Sequence, residues 1–342
     1  MVKAGIVPGG FLPPPAASTN IPWDSEIRRA NLGQENHGDW SPVWTMRETA
    51  RLCAPSLAHV DQRDQVAWES VFGPQGRVDP VWERSTPTSL ARMEGNLTSI
   101  VSRWNDGTNF YHHFMDGLTR LAHLRSFPDD CRILVPKIST AFAARSYEIL
   151  GLVDRLAEAP GGDLLVGRYW FAGPTALSGC PNPAGVAWLK DRFLSGPDPK
   201  PDLHLYVMRE ASTRTVENHG ELRRFLEQRG WTAVNPAGYS LDDQITLFRR
   251  AKSVIGVHGA ALTNLLWSQA GCKVLELMPA GRRNGCYAGI CHSAGLIHQT
   301  LLCPSDRHGS MSVPIGRLEI RLDLLPEEIV ERAATGSAET KA

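Results

Sequence analysis

The sequence predicts an α/β protein whose second half is built on a parallel sheet with helices on both faces. From residue 203 onward, short apolar runs alternate regularly with amphipathic stretches across short connections. Those runs are apolar throughout instead of alternating with polar residues, as strands covered on both faces require. Glycines and capping residues fall where the pattern changes, with Gly230 at a helix end and Ser240 at a helix start.

Residues 1–22 are rich in Pro, Gly and Ala and predict a flexible N-terminal arm. An N-terminal domain is expected over 23–196. Its first part, 23–95, mixes tryptophans, prolines and charges without a long periodic segment, and no element is assigned there. Strands follow at 97–104, 132–136 and 163–173, with helices over 109–126 and 139–150. The segment GPDPKPD, 196–202, carries three prolines and a glycine and predicts a linker.

A second domain is expected over 203–323. LHLYVM (203–208) is its first strand, and 216–229 is an amphipathic helix with Leu222 and Leu226 on one face. WTAVN (231–235) is the next strand. Ser240 caps the helix LDDQITLFRRA, with Asp243 at the capping-box position. SVIGV (253–257), KVLELM (273–278) and HQTLL (298–302) are further strands. ALTNLLW and NGCYAGICHSAG are the helical stretches between them. The helix LLPEEIVERAA and a tail fill 324–342.

Composition narrows the function. In 342 residues, Lys plus Arg and Asp plus Glu both total 36, so no general attraction to nucleic acid or an anionic membrane is indicated. A local basic pocket remains compatible with that balance. The seven cysteines form no CxxC pair, which points to free, mostly buried thiols in a reducing compartment rather than a zinc site or disulfide framework. The N-terminus has no continuous apolar signal core, and no window approaches the ~18 apolar residues of a membrane span. A cytoplasmic protein is expected, with peripheral membrane association left open.

Three stretches carry chemistry. In SVIGVHGAALTNLLW (253–267), Gly256, Gly259, Ala260 and Ala261 let the backbone approach a ligand at the carboxyl end of a strand. The following helix N-terminus suits a phosphate, and His258 can donate to the same group. The other reading is a tight packing turn with a satisfied histidine. MREASTRT places Arg209 and Arg214 after the first strand of the same sheet, either as solvated surface residues or as a metal-free diphosphate clamp. Glu276, inside an apolar strand, needs a partner: ribose hydroxyls or a nearby arginine. In NFYHHFMDGLTR (109–120), Asn109, His112, His113 and Asp116 fall at helical spacing on one face. That face offers a general base, a thin metal site, or a polar surface with an Asp116–Arg120 pair.

Together these residues resemble glycosyltransferase family 61. VIGVHGAALTNLLW followed by GCKVLELMP is similar to its strand, HGA-x-LTN loop and V-x-E-x-x-P strand, and NFYHHFMDG to its N-Y/F-x-H-x-x-x-D segment. MREASTRTVENHGELRRFL and SLDDQITLFRRAKSVIG match its arginine stretch and its Q-x-x-L-F lead into the loop, although Met208 stands where a serine is common. The similar region covers about residues 97–305. The resemblance implies a GT-B architecture, two Rossmann-like domains facing a cleft, and inverting transfer without an essential metal or other cofactor. It implies a nucleotide-sugar donor, with UDP-sugar expected, and a glycan or glycoconjugate acceptor. It implies that Arg209 and Arg214 hold the diphosphate. His258, Gly259, Ala260 and Asn264 form the donor loop, and Glu276 lies near the nucleoside. Asp116 becomes the candidate base, with His112, His113 and Asn109 on the acceptor side. A non-catalytic nucleotide- or glycan-binding module is the alternative. A nicotinamide-dependent enzyme is disfavoured because GxGxxG is absent.

Overall fold

The computed structural model describes residues 44–54, 56–60, 89–102, 104–172, 179, 181, 183–209 and 215–323. The expected arm 1–22, the C-terminal segment 324–342 and Arg214 lie outside the described residues. Among the described residues the chain forms two compact units, divided chiefly between Gly196 and Pro197, with Ser240–Asp243 grouped with the first. Each carries a parallel-rich sheet with helices.

The first unit contains strands β1 (Trp44–Cys53), β2 (Ala58–Val60), β3 (Leu90–Ser99), β4 (Arg132–Val135), β5 (Leu156–Glu158) and β6 (Asp163–Ala172), in the order β2-β1-β6-β3-β4-β5. The neighbours β6-β3-β4-β5 are parallel, whereas β1 runs antiparallel to both β6 and β2. An antiparallel strand, paired on both sides, therefore begins a unit whose sequence shows no pattern before residue 97. Its core joins Leu52, Leu97, Leu134, Leu164, Val166 and Tyr169. Helices α1 (Ala141–Ile149) and α2 (Pro183–Phe193) belong to this unit. The α2 stretch opens Pro-Ala-Gly, which looks like a turn in sequence. Proline at the first helical position has the right φ and no N–H to waste.

The regular helix expected over 109–126 is corrected. His112–Gly117 is a π-helical segment, and Leu118–Ser126 continues as a 3-10 helix. Gly117 lies so close to the buried Asn105 that a Cβ there would sit 2.3 Å from the amide Nδ2. That amide donates to the carbonyl of Ile100 at 2.8 Å, tying the segment to the end of β3. A π-helical turn changes which side chains align, so the spacing rule for one helix face no longer applies.

The second unit contains β7 (Leu203–Val207), β8 (Thr232–Val234), β9 (Ala251–Val257), β10 (Lys273–Pro279) and β11 (Ile297–Cys303). Their order is β11-β10-β9-β7-β8, and every neighbouring pair is parallel. Helices α3 (His219–Glu227), α4 (Leu241–Arg249), α5 (Cys286–Ala294) and α6 (Ile315–Asp323) accompany it, with a 3-10 helix at Ala260–Trp267. Tyr206, Ile255, Leu275, Leu277 and Leu301 pack with Leu222 and Leu226 of α3 and Leu318 of α6. Leu205, Val207, Val254 and Val274 point to the opposite face and are equally buried. Two covered faces explain why these strands lack a regular apolar–polar alternation.

Local signals hold the elements in place. The Ser240 hydroxyl accepts the Asp243 N–H at 3.1 Å and donates to its carboxylate at 2.6 Å. Gly295 closes α5 in the left-handed region, at φ 72°, where a side chain would be strained. The proline-rich 197–202 stretch is fastened to the second unit. Arg249 donates to the Pro197 carbonyl at 2.9 Å, and Arg250 grips Asp202 at 3.0 and 2.6 Å.

Cys53, Cys131, Cys272, Cys286, Cys291 and Cys303 are buried, while Cys180 lies outside the described residues. Burial pushes the thiols of Cys131, Cys272 and Cys303 up to about 12. Among the described residues no helix is long and apolar enough to cross a membrane.

Candidate active site

In the second unit, chain connections run outward from β7 to β8, then cross back to β9 on the other side of β7. The β7/β9 junction is therefore the topological switch point, where the loops leaving adjacent strands diverge and open a crevice at the carboxyl edge. Arg209 follows β7 and His258 follows β9, so both predicted residues arrive at that junction. The Arg209 Nη1 donates a short hydrogen bond to the carbonyl of His258. A Cβ on Gly259 would lie 2.5 Å from the same Nη1, so this glycine is required by the guanidinium against it. Its φ of 168° is ordinary extended backbone. One strand-turn earlier, a Cβ on Gly256 would sit 2.2 Å from Leu262 Cδ2. The two glycines thus have different jobs: one admits a cation, and the other seats the 3-10 helix on the sheet.

That helix begins at Ala260 and is braced from below. The fully buried Asn264 donates to Gln244 Oε1 at 2.8 Å and accepts from Trp267 Nε1 at 3.1 Å. Gln244 in turn donates to the Tyr239 carbonyl at 3.1 Å. The Q-x-x-L-F and LTN motifs are therefore two halves of one buried amide network, and Asn264 fixes the loop from its inner side. Asn218 of the arginine stretch is also a brace, exchanging hydrogen bonds of 2.8 and 2.9 Å with the backbone of Val313.

Glu276 pairs with Gly256 on one side and Thr300 on the other, and its side chain is fully buried. The partner its burial demands is a pair of histidines, not an arginine. His258 Nδ1 lies 2.5 Å from Oε1, and His298 Nε2 lies 2.9 Å from Oε2. Burial pushes the carboxyl up, but hydrogen bonds from His258 and then His298 outweigh it and hold Glu276 down at about 2. An ionised carboxylate only accepts, so His258 donates through Nδ1, and in the neutral ring Nε2 is left to accept from a ligand hydroxyl and not to donate to a phosphate as the sequence reading expected. Tyr287 packs edge-on against the His258 ring at 5.1 Å.

The second cluster stands where β3 ends in the first unit. The side chain of Asn109 accepts from the N–H groups of Tyr111 and His112 at 3.0 and 3.3 Å, so it caps the segment that follows. His112 Nδ1 donates to Asp116 Oδ2 at 2.6 Å, and Trp104 stacks on the His112 ring at 5.8 Å and 22°. Asp116 is only 3% exposed, His112 22%. Solvent thus reaches the imidazole far more readily than the carboxylate behind it. Arg120, a turn further on, is buried. Its pKa is lowered by burial, with Tyr169 and Asp116 partly offsetting that shift.

A family model for glycosyltransferase 61 matches residues 110–275, a span that holds both clusters up to the residue before Glu276. Residues 110–275 form a glycosyltransferase family 61 domain. No curated protein matches the chain. As a glycosyltransferase it moves a sugar from a donor to an acceptor, and its predicted residues fall into two groups. Arg209, His258, Gly259, Ala260 and Glu276 gather at the β7/β9 edge, with Asn264 beneath them. His112 and Asp116 form a carboxylate–imidazole pair in the other unit. Sequence reasoning missed His298, Gln244 and Tyr287. The glutamine was visible inside its motif, and the histidine's signal was a polar residue beginning a buried strand.

His113 does not join His112 and Asp116 on one face. It is fully buried against Phe114, Phe142 and Tyr147, and its Nε2 lies 2.8 Å from Ser146 Oγ. Because the serine proton goes to the Ala143 carbonyl, His113 must donate through Nε2, which fixes a proton on that nitrogen. Burial holds His113 down at about 3, and burial with Arg120 and Arg125 holds His123 at about 4. Unfolded histidine titrates near ~6.5. Stability from keeping these rings neutral is therefore full above about pH 6.5 and drains as pH falls towards 4 and 3, by up to ~1.4 kcal/mol per pH unit for each ring. Urea titrations between pH 7 and 4 should show this loss, and His113→Gln should flatten it. An unchanged slope in that variant would remove His113 from the account.

Proposed function

We propose that this glycosyltransferase is an inverting enzyme of GT-B architecture using a nucleoside-diphosphate sugar, with UDP-sugar the expected donor. The acceptor is a hydroxyl of a glycan or glycoconjugate. The observation that carries the reading is the guanidinium of Arg209 bonded to the backbone of the His258–Gly259 bend at a sheet switch point. Forked donors and a glycine-lined strand end suit two linked phosphates, and Arg214 from the same loop is assigned to the same diphosphate.

In this reading the chemistry is one displacement at the anomeric carbon. His112 Nε2 takes the proton of the acceptor hydroxyl as its oxygen attacks. Asp116 orients the ring and stabilises the imidazolium that forms. The bond from the anomeric carbon to the diphosphate oxygen breaks, and Arg209 with the bend N–H groups stabilises the departing charge. The arginine assignment leads us to expect no divalent ion in this step. Buried thiols at Cys131, Cys272, Cys291 and Cys303 suit a reducing compartment, and a cytoplasmic enzyme building a surface polysaccharide or another glycoconjugate is the setting we favour.

A thermal-shift panel of nucleoside diphosphates and their sugars tests the first half. A true ligand raises the melting temperature in proportion to the logarithm of its concentration. Hits are then taken into a product assay with and without EDTA. Stabilisation by a diphosphate, followed by chelator-insensitive release of that diphosphate, is the expected result. No stabilisation by any member would overturn the donor assignment, and chelator inhibition would overturn the metal-free step.

A further inference from the structure

We infer that His298 is a positioning residue for the donor diphosphate, acting on His258 through the carboxylate of Glu276. The inference rests on the donor-site reading of the β7/β9 edge and extends it to a third strand. Each half of the Glu276 carboxylate is occupied: Oε1 by His258 at 2.5 Å and Oε2 by His298 at 2.9 Å. The carboxylate has no exposed surface, and it lies in the sheet interior between Gly256 and Thr300. A carboxylate side chain can rotate about its terminal bonds. With one oxygen anchored by His298, the other is presented to His258 in a single orientation, and the Nδ1–H tautomer of His258 follows. The same histidine uses its carbonyl to hold Arg209. Strand β11 therefore reaches the phosphate-binding face through two hydrogen bonds, without itself contributing a group to it.

Without His298, one oxygen of a buried anion loses its donor. The carboxylate is then free to turn, or to draw in water, and His258 samples the other tautomer. The Nε2 that accepts from a hydroxyl of the donor is then protonated in part of the molecules, and ground-state grip on the nucleoside diphosphate is lost. Proton removal from the acceptor, assigned to His112, is untouched.

The test compares three substitutions of His298. Glutamine carries its amide nitrogen where the imidazole Nε2 lies; asparagine is one methylene short; leucine keeps bulk and has no donor. Calorimetric titration with UDP, and with GDP and ADP alongside, should give about tenfold weaker binding for His298→Leu and His298→Asn. Donor KM should rise in step, with kcat at saturating donor within about twofold. His298→Gln should bind like the parent. Nitrogen-15 shifts of the His258 ring should report one tautomer in the parent and the glutamine variant, and a mixture in the asparagine variant. If His298→Leu does not fold, the glutamine–asparagine pair still decides. Equal UDP affinity across that pair, or a single His258 tautomer in the asparagine variant, overturns the inference. Failure of the parent protein to bind any of the three diphosphates would instead sink the donor-site reading beneath it.

Discussion

Arg209→Ala is expected to weaken nucleoside-diphosphate binding by about a hundredfold, because a guanidinium facing phosphate makes more than one charge-assisted hydrogen bond. The melting temperature without ligand should hardly move, since the side chain is only partly buried and its bond to the His258 carbonyl is one interaction in a well-packed edge. Arg209→Lys should recover little. A lysine ammonium is a point charge and cannot bond the His258 carbonyl and a phosphate in the same fork. Gly259→Ala offers an internal control on the same contact. Its methyl group would meet the guanidinium 2.5 Å away and push it aside, so it should resemble the arginine variant while leaving the sheet intact. Binding that is unchanged in both variants would show that the diphosphate is held elsewhere.

The second large effect is expected at the His112–Asp116 pair. His112→Ala should lower turnover by about 10²–10⁴ while UDP affinity stays within about twofold, the signature of a lost general base. Asp116→Asn should fall in the same range for a different reason. The amide still reaches Nδ1 of His112, but without its charge the imidazolium is no longer stabilised, and the wrong tautomer becomes accessible. The comparison separates two roles that the sequence leaves open. If Asp116 removes the proton directly, His112→Ala should be nearly as active as the parent and Asp116→Asn inactive. If the imidazole does so, both variants fail, and added imidazole should partly restore His112→Ala alone. The 22% exposure of His112 against 3% for Asp116 favours the second outcome.

Much of this site was legible before any coordinates. Strand–helix alternation from residue 203 gave the parallel sheet, and the sheet rule places ligand-binding loops at strand carboxyl ends. That is why Arg209 and His258 could be paired from sequence although 49 residues separate them. Glycine at 259 announced a close approach, although the approaching group proved to be a guanidinium already in the chain. Other features were hidden for specific reasons. The π-helical turn at His112–Gly117 has no periodic signature, so regular spacing put His113 beside His112 when it belongs to the core. Glu276 looked like a residue for ribose or arginine because a buried carboxylate's partner is set by strand register, which sequence does not print. His298 came to it from the next strand. The antiparallel β1 lay in a stretch without alternation, where pairing with β6 decides the structure more than local preference.

Burial of the six described cysteines has a practical consequence. With Cys131, Cys272 and Cys303 pushed up to about 12, almost none of their sulfur is nucleophilic in neutral buffer, and all six are shielded from reagent. Alkylation can therefore proceed only as fast as the surrounding structure opens. Cys53 and Cys131 report on one unit and Cys272, Cys286, Cys291 and Cys303 on the other, so peptide mass after timed labelling would reveal which half of the enzyme loosens first on heating.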